Sequence, residues 1–300
     1  MRTVRPGTVR PATLPPQVLL LGSIASVQFG SAFADTLFDQ AGPGGVVFLR
    51  LILSALLLVA IARPTLRGRT RADLLAVGGY GLVLGSMNWA FYEALHRLPL
   101  GVAVTIEFTG PLAVAVIASR RALDLIWAGL AAGGVVLLAV NGGVHGVTVL
   151  GVVLALCAGA CWACYILLSK RVGRTFATLD GLAIALCVGT FVALPVGVIE
   201  GGSALGRPAV IGGGLAVAVL SSVLPYSLEL IALRRMDPGT FGLLMSLEPA
   251  VAALAGVIVL GQALTPVLVG ALLMVIAASA GTTLTARRTA LRPEVAVGPQ

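Results

Sequence analysis

Two carboxylates lie inside long apolar runs, where ionisable side chains are rare. Glu107 lies about 7 residues into one run, Glu248 about 10 residues into another, and each precedes a proline, Pro111 or Pro249. A charge at membrane depth is costly and usually marks a polar pathway. Proline removes a backbone donor and bends a helix, and freed backbone is tolerated there beside a cavity. The pattern predicts two bent helices lining a polar cavity; the alternative is carboxylates satisfied by Ser or Thr, with prolines used for packing.

Four further side chains could complete such a site. Asn88 and Tyr92 are four residues apart and therefore share a helix face, and Trp162 and Tyr165 lie on another apolar segment. Together they offer an amide, a hydroxyl group and ring faces to a small zwitterion. Aromatic residues in such runs more often pack or anchor at interfaces, so both interpretations stay open.

The remaining charges in these runs lie near the predicted span ends. Arg50 could hold a substrate carboxylate through paired hydrogen bonds, but the sequence favours a plainer interpretation, in which it reaches the membrane interface or pairs with Asp35. Glu93, Glu200 and Glu229 are interpreted as solvated residues at span ends.

Composition shows what surrounds these residues. Of 300 residues, 58% are hydrophobic and 11% are charged, whereas soluble domains carry roughly 25% charge. The chain therefore belongs in a lipid bilayer, which excludes an ordinary cytosolic enzyme. The net charge of +8 is spread over short basic clusters, a pattern that fits anionic lipid headgroups and not nucleic acid. Cys157, Cys161 and Cys164 share one face but lack a fourth ligand, so packing is expected, with no metal or cofactor.

The apolar runs predict an all-α protein with ten transmembrane helices, because about 20 apolar residues span a bilayer. The predicted spans are 17–38, 45–62, 74–95, 100–119, 123–140, 149–169, 179–199, 209–233, 238–260 and 264–285. The chain leaves no room for a domain outside the membrane.

Basic residues set the orientation of these spans. With the N-terminus inside, seventeen Lys and Arg lie on the inner side, and Arg97 and Arg207 lie outside. We therefore expect both tails, 1–16 and 286–300, to be cytoplasmic, in a bacterial inner membrane. A cleaved signal peptide ending near Ala34 is the disfavoured alternative.

An internal repeat divides the chain. Residues 94–101 (ALHRLPLG) resemble residues 232–239 (ALRRMDPG) at an offset of 138, and the same offset aligns Pro111 with Pro249. The repeat predicts a first five-helix half over 17–140 and a second over 149–285. Because five is odd, the halves are inverted in the membrane, which is a transporter architecture. Duplication kept for packing, or a channel, is the alternative.

Four short motifs carry a family resemblance. They are residues 48–51 (FLRL), 107–111 (EFTGP), 246–250 (SLEPA) and 261–265 (GQALT). The chain resembles the EamA-type branch of the drug/metabolite transporter superfamily, and within it the bacterial threonine/homoserine exporters. The resemblance implies a ten-helix exporter. One position departs from the family pattern, which has Glu where this chain has Gln262, so no role is expected for an ionisable group there.

The expected function is secondary active export of small neutral amino acids or related metabolites by alternating access. Glu107 and Glu248 motivate a hypothesis of proton coupling. The expected partners are a small-molecule substrate, protons and the lipid bilayer, and the sequence is compatible with a homodimer. Export of other small metabolites or drugs, or passive conduction through the same fold, is the alternative. An enzyme is not expected, because the sequence has no His-Glu-x-x-His motif and Lys170 lacks a phosphate-binding glycine loop.

Overall fold

The computed structural model describes residues 14–119, 122–140, 147–176 and 178–290, and over these ranges the chain is helical with no strand. Thirteen α-helices are formed within them. They are α1 Pro16–Asp35, α2 Phe38–Ala62, α3 Arg71–Leu95, α4 Leu100–Glu107, α5 Thr109–Ser119, α6 Ala122–Val140, α7 Val149–Thr175, α8 Thr178–Gly201, α9 Pro208–Ala218, α10 Leu224–Leu233, α11 Pro238–Met245, α12 Glu248–Leu260 and α13 Pro266–Ala290.

These helices account for the ten predicted spans. Within the described ranges, nine helical stretches are long and apolar enough to cross a membrane, and Leu123–Leu138 is a shorter apolar helix. Three crossings combine two helices each, namely α4 with α5, α9 with α10, and α11 with α12. The chain is a multi-pass helical membrane protein, as its composition predicts.

The two carboxylate-bearing crossings are broken at equivalent positions. α4 ends at Glu107 and α5 begins at Thr109, while α11 ends at Met245 and α12 begins at Glu248. The break residues Phe108 and Ser246 are 138 positions apart, which is the offset of the sequence repeat. The prolines explain both breaks, since each lacks the N–H that would bond to the carbonyl four residues earlier. Hydroxyls of Thr109 and Ser246 donate to carbonyls of the preceding turn.

The first two helices differ from their predicted limits. α1 ends at Asp35 rather than at residue 38, and α2 begins at Phe38 rather than at residue 45. α2 is kinked at Gly42, whose φ of 66° is open to glycine at low cost. Beyond the kink the backbone N–H of Gly44 donates to Glu200 Oε2 on α8, at 2.7 Å. A carboxylate from another helix therefore caps the main part of α2.

Glycines allow the central helices to approach closely. A Cβ at Gly85 on α3 would lie 2.7 Å from the Gly189 Cα and carbonyl oxygen on α8, and one at Gly81 would lie 2.6 Å from the Ala185 carbonyl oxygen. Small residues at such positions let two helices approach closely.

The α3–α8 contact predicts opposite effects for two glycine substitutions in α3. Gly85→Ala drives a methyl group into the α8 backbone, so we expect a loss of about 1–3 kcal/mol in unfolding free energy. Gly79→Ala is the matched control, because its Cβ meets no described atom within 4 Å and alanine favours helix by up to about 1 kcal/mol. Thermal unfolding of both variants in detergent measures the difference. Equal unfolding midpoints for the two variants would contradict this account of the contact.

Candidate functional site

A cavity of about 490 Å³ lies among the broken crossings and their neighbours. We call it the central cavity. Its wall combines apolar side chains with a set of polar ones from eight helices and the π-helical Val219–Val223 segment. The polar set includes Gln28, Ser31, Arg50, Asn88, Glu107, Tyr165, Ser169, Ser221, Tyr226, Glu229, Glu248, Ser279, Thr282 and Thr283.

Arg50 supplies the positive charge of the central cavity. Its side chain on α2 is only 6% exposed. Nε donates to Ser222 Oγ at 3.2 Å, one terminal nitrogen donates to the Tyr92 hydroxyl at 3.2 Å, and the other donates to the Ser221 carbonyl at 2.7 Å. The favoured interpretation from sequence is therefore wrong, since Arg50 neither reaches the interface nor pairs with Asp35. The structure describes both Arg50 and Asp35, and the acceptors of Arg50 are three neutral oxygens.

A π-helical segment brings two of these three acceptors to Arg50. Val219–Val223 joins α9 to α10 with wider turns than an α-helix, and such segments are frequent at functional sites. Gly30 on α1 lets this segment approach, because a Cβ there would lie 2.9 Å from Leu220 Cβ. The local geometry therefore directs one carbonyl and one hydroxyl group of the segment toward α2.

Three carboxylates share the central cavity with Arg50. Glu107 ends α4 and Glu248 begins α12, and both are buried in the cavity wall. The third is Glu229 on α10, which accepts a hydrogen bond from Ser23 at 2.7 Å. Glu107 interacts electrostatically with Arg50, and Glu248 interacts with the other two carboxylates. The cavity thus carries one fixed cation and three acids.

Glu229 and Glu93 correct the sequence interpretation of acids at span ends. Glu229 lies in the cavity wall and not at a solvated end. Glu93 is buried and pairs with Arg97 one turn later. Both positions follow from helix packing, which brings the last turns of α3 and α10 against neighbouring helices.

The other predicted site residues divide between the cavity wall and the layer behind it. Asn88 and Pro111 line the central cavity, and the Asn88 amide also donates to the Leu84 carbonyl at 2.8 Å. Tyr92 is fully buried behind Arg50, which it contacts through its hydroxyl group and through its ring face, 5.4 Å from the guanidinium carbon. Pro249 is buried next to Glu248 and is not among the lining residues.

Aromatic rings form much of the remaining wall. Trp162 on α7 packs edge-on against Phe108, at the break between α4 and α5, with ring centroids 5.8 Å apart. Tyr165 stacks on Tyr80 with centroids 5.0 Å apart. Both predicted residues, Trp162 and Tyr165, therefore line the cavity on the side formed by α7.

The central cavity continues toward one end of the bundle. A second cavity of about 270 Å³ shares six lining residues with it and extends to the region where α7 ends and α8 begins. The shared residues are Tyr165, Ser169, Tyr226, Glu229, Leu233 and Phe241. We call the side reached by the second cavity the Val172 end, after a residue of its wall.

The opposite side, which we call the Phe38 end, is tightly packed. The Phe38 ring contacts Tyr92 and His96, with centroids 5.7 and 5.9 Å apart. Gln262, where the family pattern has an acid, accepts a hydrogen bond from the Leu100 N–H at the start of α4 at 3.0 Å. These contacts cover the cavity on the side away from the Val172 end.

An all-helical membrane bundle with a charged central cavity, reached from one end, defines the class of integral membrane carriers and channels. The EamA-like transporter family matches residues 149–284. The chain is 46% identical over 286 residues to the threonine/homoserine exporter RhtA of Escherichia coli K12 and to that of Salmonella typhimurium LT2, across 94% of this chain and 96% of each relative. The chain therefore belongs to the EamA-like transporter family, as its motifs indicate.

A solved structure shares the fold. One crystal structure superposes with a TM-score of 0.60 at 20% identity, covering 91% of this chain and 98% of that one. At this identity the likeness bears on the fold alone. It extends over nearly the whole chain.

The packing at the two ends predicts which side of the membrane the cavities face. In a variant with its natural cysteines replaced by Ala, a cysteine at Ser169, which lines both cavities, should react with a membrane-impermeant thiol reagent only from the Val172 end. The control is Thr36→Cys, an exposed position at the Phe38 end, which should react only from the other face. Vesicles of both orientations distinguish the faces. Labelling of both positions from the same face would contradict the described arrangement.

Proposed function

We propose that this chain exports small neutral amino acids of the threonine and homoserine kind from the bacterial cytoplasm by alternating access. The relatives that are 46% identical over nearly the full length carry that function in their names. The structural observation that carries the proposal is Arg50, a buried guanidinium in a cavity wall whose own hydrogen-bond acceptors are neutral.

A buried guanidinium with neutral partners is suited to an anionic ligand. Taking the charge out of water costs several kcal/mol in general, and dipoles of hydroxyl and carbonyl groups offset only part of that cost. A substrate carboxylate brings the opposite charge and matches the planar donor geometry of Arg50. The cavity volume of about 490 Å³ also falls in the range of roughly 300–1,000 Å³ that is usual for small-molecule sites.

The repeat supports alternating access between two inverted halves, 17–140 and 149–285. The sequence offset of 138 relates the break at Phe108 to the break at Ser246, and each break adjoins a carboxylate that lines the cavity. Discontinuous helices at the interface of inverted repeats are the usual place for a transported substrate. Exchanging the conformations of the halves would close one end of the cavity and open the other.

The charge distribution supports a cytoplasmic Val172 end and cytoplasmic termini in a bacterial inner membrane. Lys170, Arg171 and Arg174 lie at this end, as the enrichment of basic residues on the inner side requires. The cavity then faces the cytoplasm while the Phe38 end is closed. This is the state in which an exporter takes up its substrate.

The acids support coupling to protons. Three carboxylates in one cavity repel one another when ionised, and a single arginine offsets part of that charge. Either a proton or the ammonium group of a substrate relieves the repulsion. Competition between the two for one set of acids is the linkage that exchange of substrate for protons requires.

Counterflow tests the proposal. Proteoliposomes loaded with unlabelled threonine should accumulate labelled threonine transiently and saturably, as a carrier does. Arg50→Met should weaken the apparent affinity about tenfold or more, because a hydrogen bond to a charge contributes about 1.5–3 kcal/mol.

Thr190→Val is the matched control, because its hydroxyl donates within α8 and does not line the central cavity. Linear flux that never saturates would favour a passive channel. Equal affinity in Arg50→Met and the control would remove Arg50 from the site.

The acids predict how flux depends on a proton gradient. Replacing Glu107 and Glu248 together by Gln should abolish the part of threonine flux that an imposed pH gradient drives, while threonine–threonine exchange persists in part. In the unmodified protein, the apparent affinity for threonine should weaken as the pH falls on the loading side, because protons compete for the same acids. Undiminished gradient-driven flux in the double variant would reject proton coupling through these residues.

A further inference from the structure

Two buried acceptor atoms in the wall of the central cavity lack a hydrogen-bond donor. Gln28 on α1 is 2% exposed, Glu248 is 6% exposed, and the Gln28 amide nitrogen lies 3.3 Å from Glu248 Oε1. Within the described part of the chain, Gln28 Oε1 and Glu248 Oε2 have no partner. Buried side-chain oxygens are normally paired, so two unpaired acceptors on adjoining residues require an explanation.

The neighbouring groups that the structure describes leave this pair without a donor. The charged groups that interact with Glu248 are Glu229 and Glu107, which add negative charge. The nearby Ser23 hydroxyl is used by Glu229 and the Pro225 carbonyl. Arg50 directs one N–H from each of its three nitrogens to Ser221, Ser222 or Tyr92, and none of these three bonds goes to this pair. A proton on Glu248 would supply one donor, and when Glu248 is ionised the donor must come from a bound molecule.

A donor without a partner occurs elsewhere in the same cavity, within the described residues. The Ser221 hydroxyl is buried and unpaired within the described residues, and the carbonyl of the same residue accepts from Arg50. One part of the wall thus presents Arg50 and a hydroxyl group, and another presents two oxygens and a carboxylate charge. This division matches a molecule with an anionic group and a cationic N–H group.

We propose that Gln28 and Glu248 form the subsite for the substrate ammonium group, and that Arg50 and Ser221 hold its carboxylate. This rests on the proposed function. A primary ammonium group has three donors, enough to satisfy Gln28 Oε1 and Glu248 Oε2 together, and its charge is offset by the Glu248 carboxylate. Gln28 is then a specificity-determining residue that selects for an amino acid over the corresponding hydroxy acid, because only the amino acid leaves both acceptors paired.

Binding of three ligands distinguishes the contributions of the ammonium and carboxylate subsites. They are L-threonine, the dihydroxybutanoate in which a hydroxyl replaces its amino group, and the aminopropanol that remains when its carboxylate is removed. Binding is measured as the ligand-dependent rise in the thermal unfolding midpoint of the full chain in detergent, which needs no transport. The unmodified protein should bind threonine more tightly than either analogue.

Gln28→Met keeps the length of the side chain and removes the amide. It should reduce the preference for threonine over dihydroxybutanoate about tenfold and leave the preference over aminopropanol unchanged. Arg50→Met should reduce the preference for threonine over aminopropanol and leave the preference over dihydroxybutanoate unchanged. Glu248→Gln, which is isosteric, tests the ammonium subsite independently if Gln28→Met folds poorly, and Thr190→Val serves as the control.

Each outcome decides the proposal. Equal weakening of all three ligands by Gln28→Met, or no change, would mean that Gln28 only supports the fold, and the subsite would be rejected. Failure of both threonine and aminopropanol to stabilise the unmodified protein would also reject it. If Gln28→Met and Arg50→Met change the ligand preferences as predicted but proteoliposomes show no flux, the subsite is supported and the exporter function is rejected.

Discussion

The buried charge of Arg50 is the constraint on which the rest of the site depends. A guanidinium at this depth needs acceptors for its donors, and the chain supplies them from two other crossings to three of the five N–H groups. The π-helical segment supplies two oxygens and Tyr92 supplies the third. Because these partners are neutral, the positive charge is oriented but not cancelled, which leaves it available to a ligand. The three buried acids in the same cavity favour a ligand that also carries a positive charge.

Small residues and helix breaks create the room for this arrangement. Gly30 lets α1 approach the π-helical segment, and Gly159 on α7 lies against the end of α4, where a Cβ would be 2.6 Å from the Glu107 carbonyl. The breaks after Glu107 and before Glu248 turn two spans into half-helices whose ends meet at the cavity. Close packing therefore fixes the backbone, and the polar side chains concentrate at the few places where the helices separate.

Much of this could be predicted from the sequence, because a bilayer imposes simple rules. Span length and apolar composition predict ten crossings, and proline spacing predicts the breaks beside Glu107 and Glu248. The position of Arg50 could not be predicted, since its partners depend on a π-helical turn that has no distinct sequence signature. Gln28 and Glu229 were missed for a related reason: which face of a helix meets a cavity depends on packing between helices. A signal did exist in α1, where Ser23, Ser26, Gln28 and Ser31 interrupt an apolar run.

The central claim is that one cavity, halfway through the bundle, holds an amino acid by its two charged ends. An experimental structure of the full chain with L-threonine bound tests it most directly. The account predicts ligand density in the central cavity, with the carboxylate against Arg50 and the ammonium group between Gln28 and Glu248. Threonine bound outside that cavity, or bound within it with its two ends exchanged, would contradict the account.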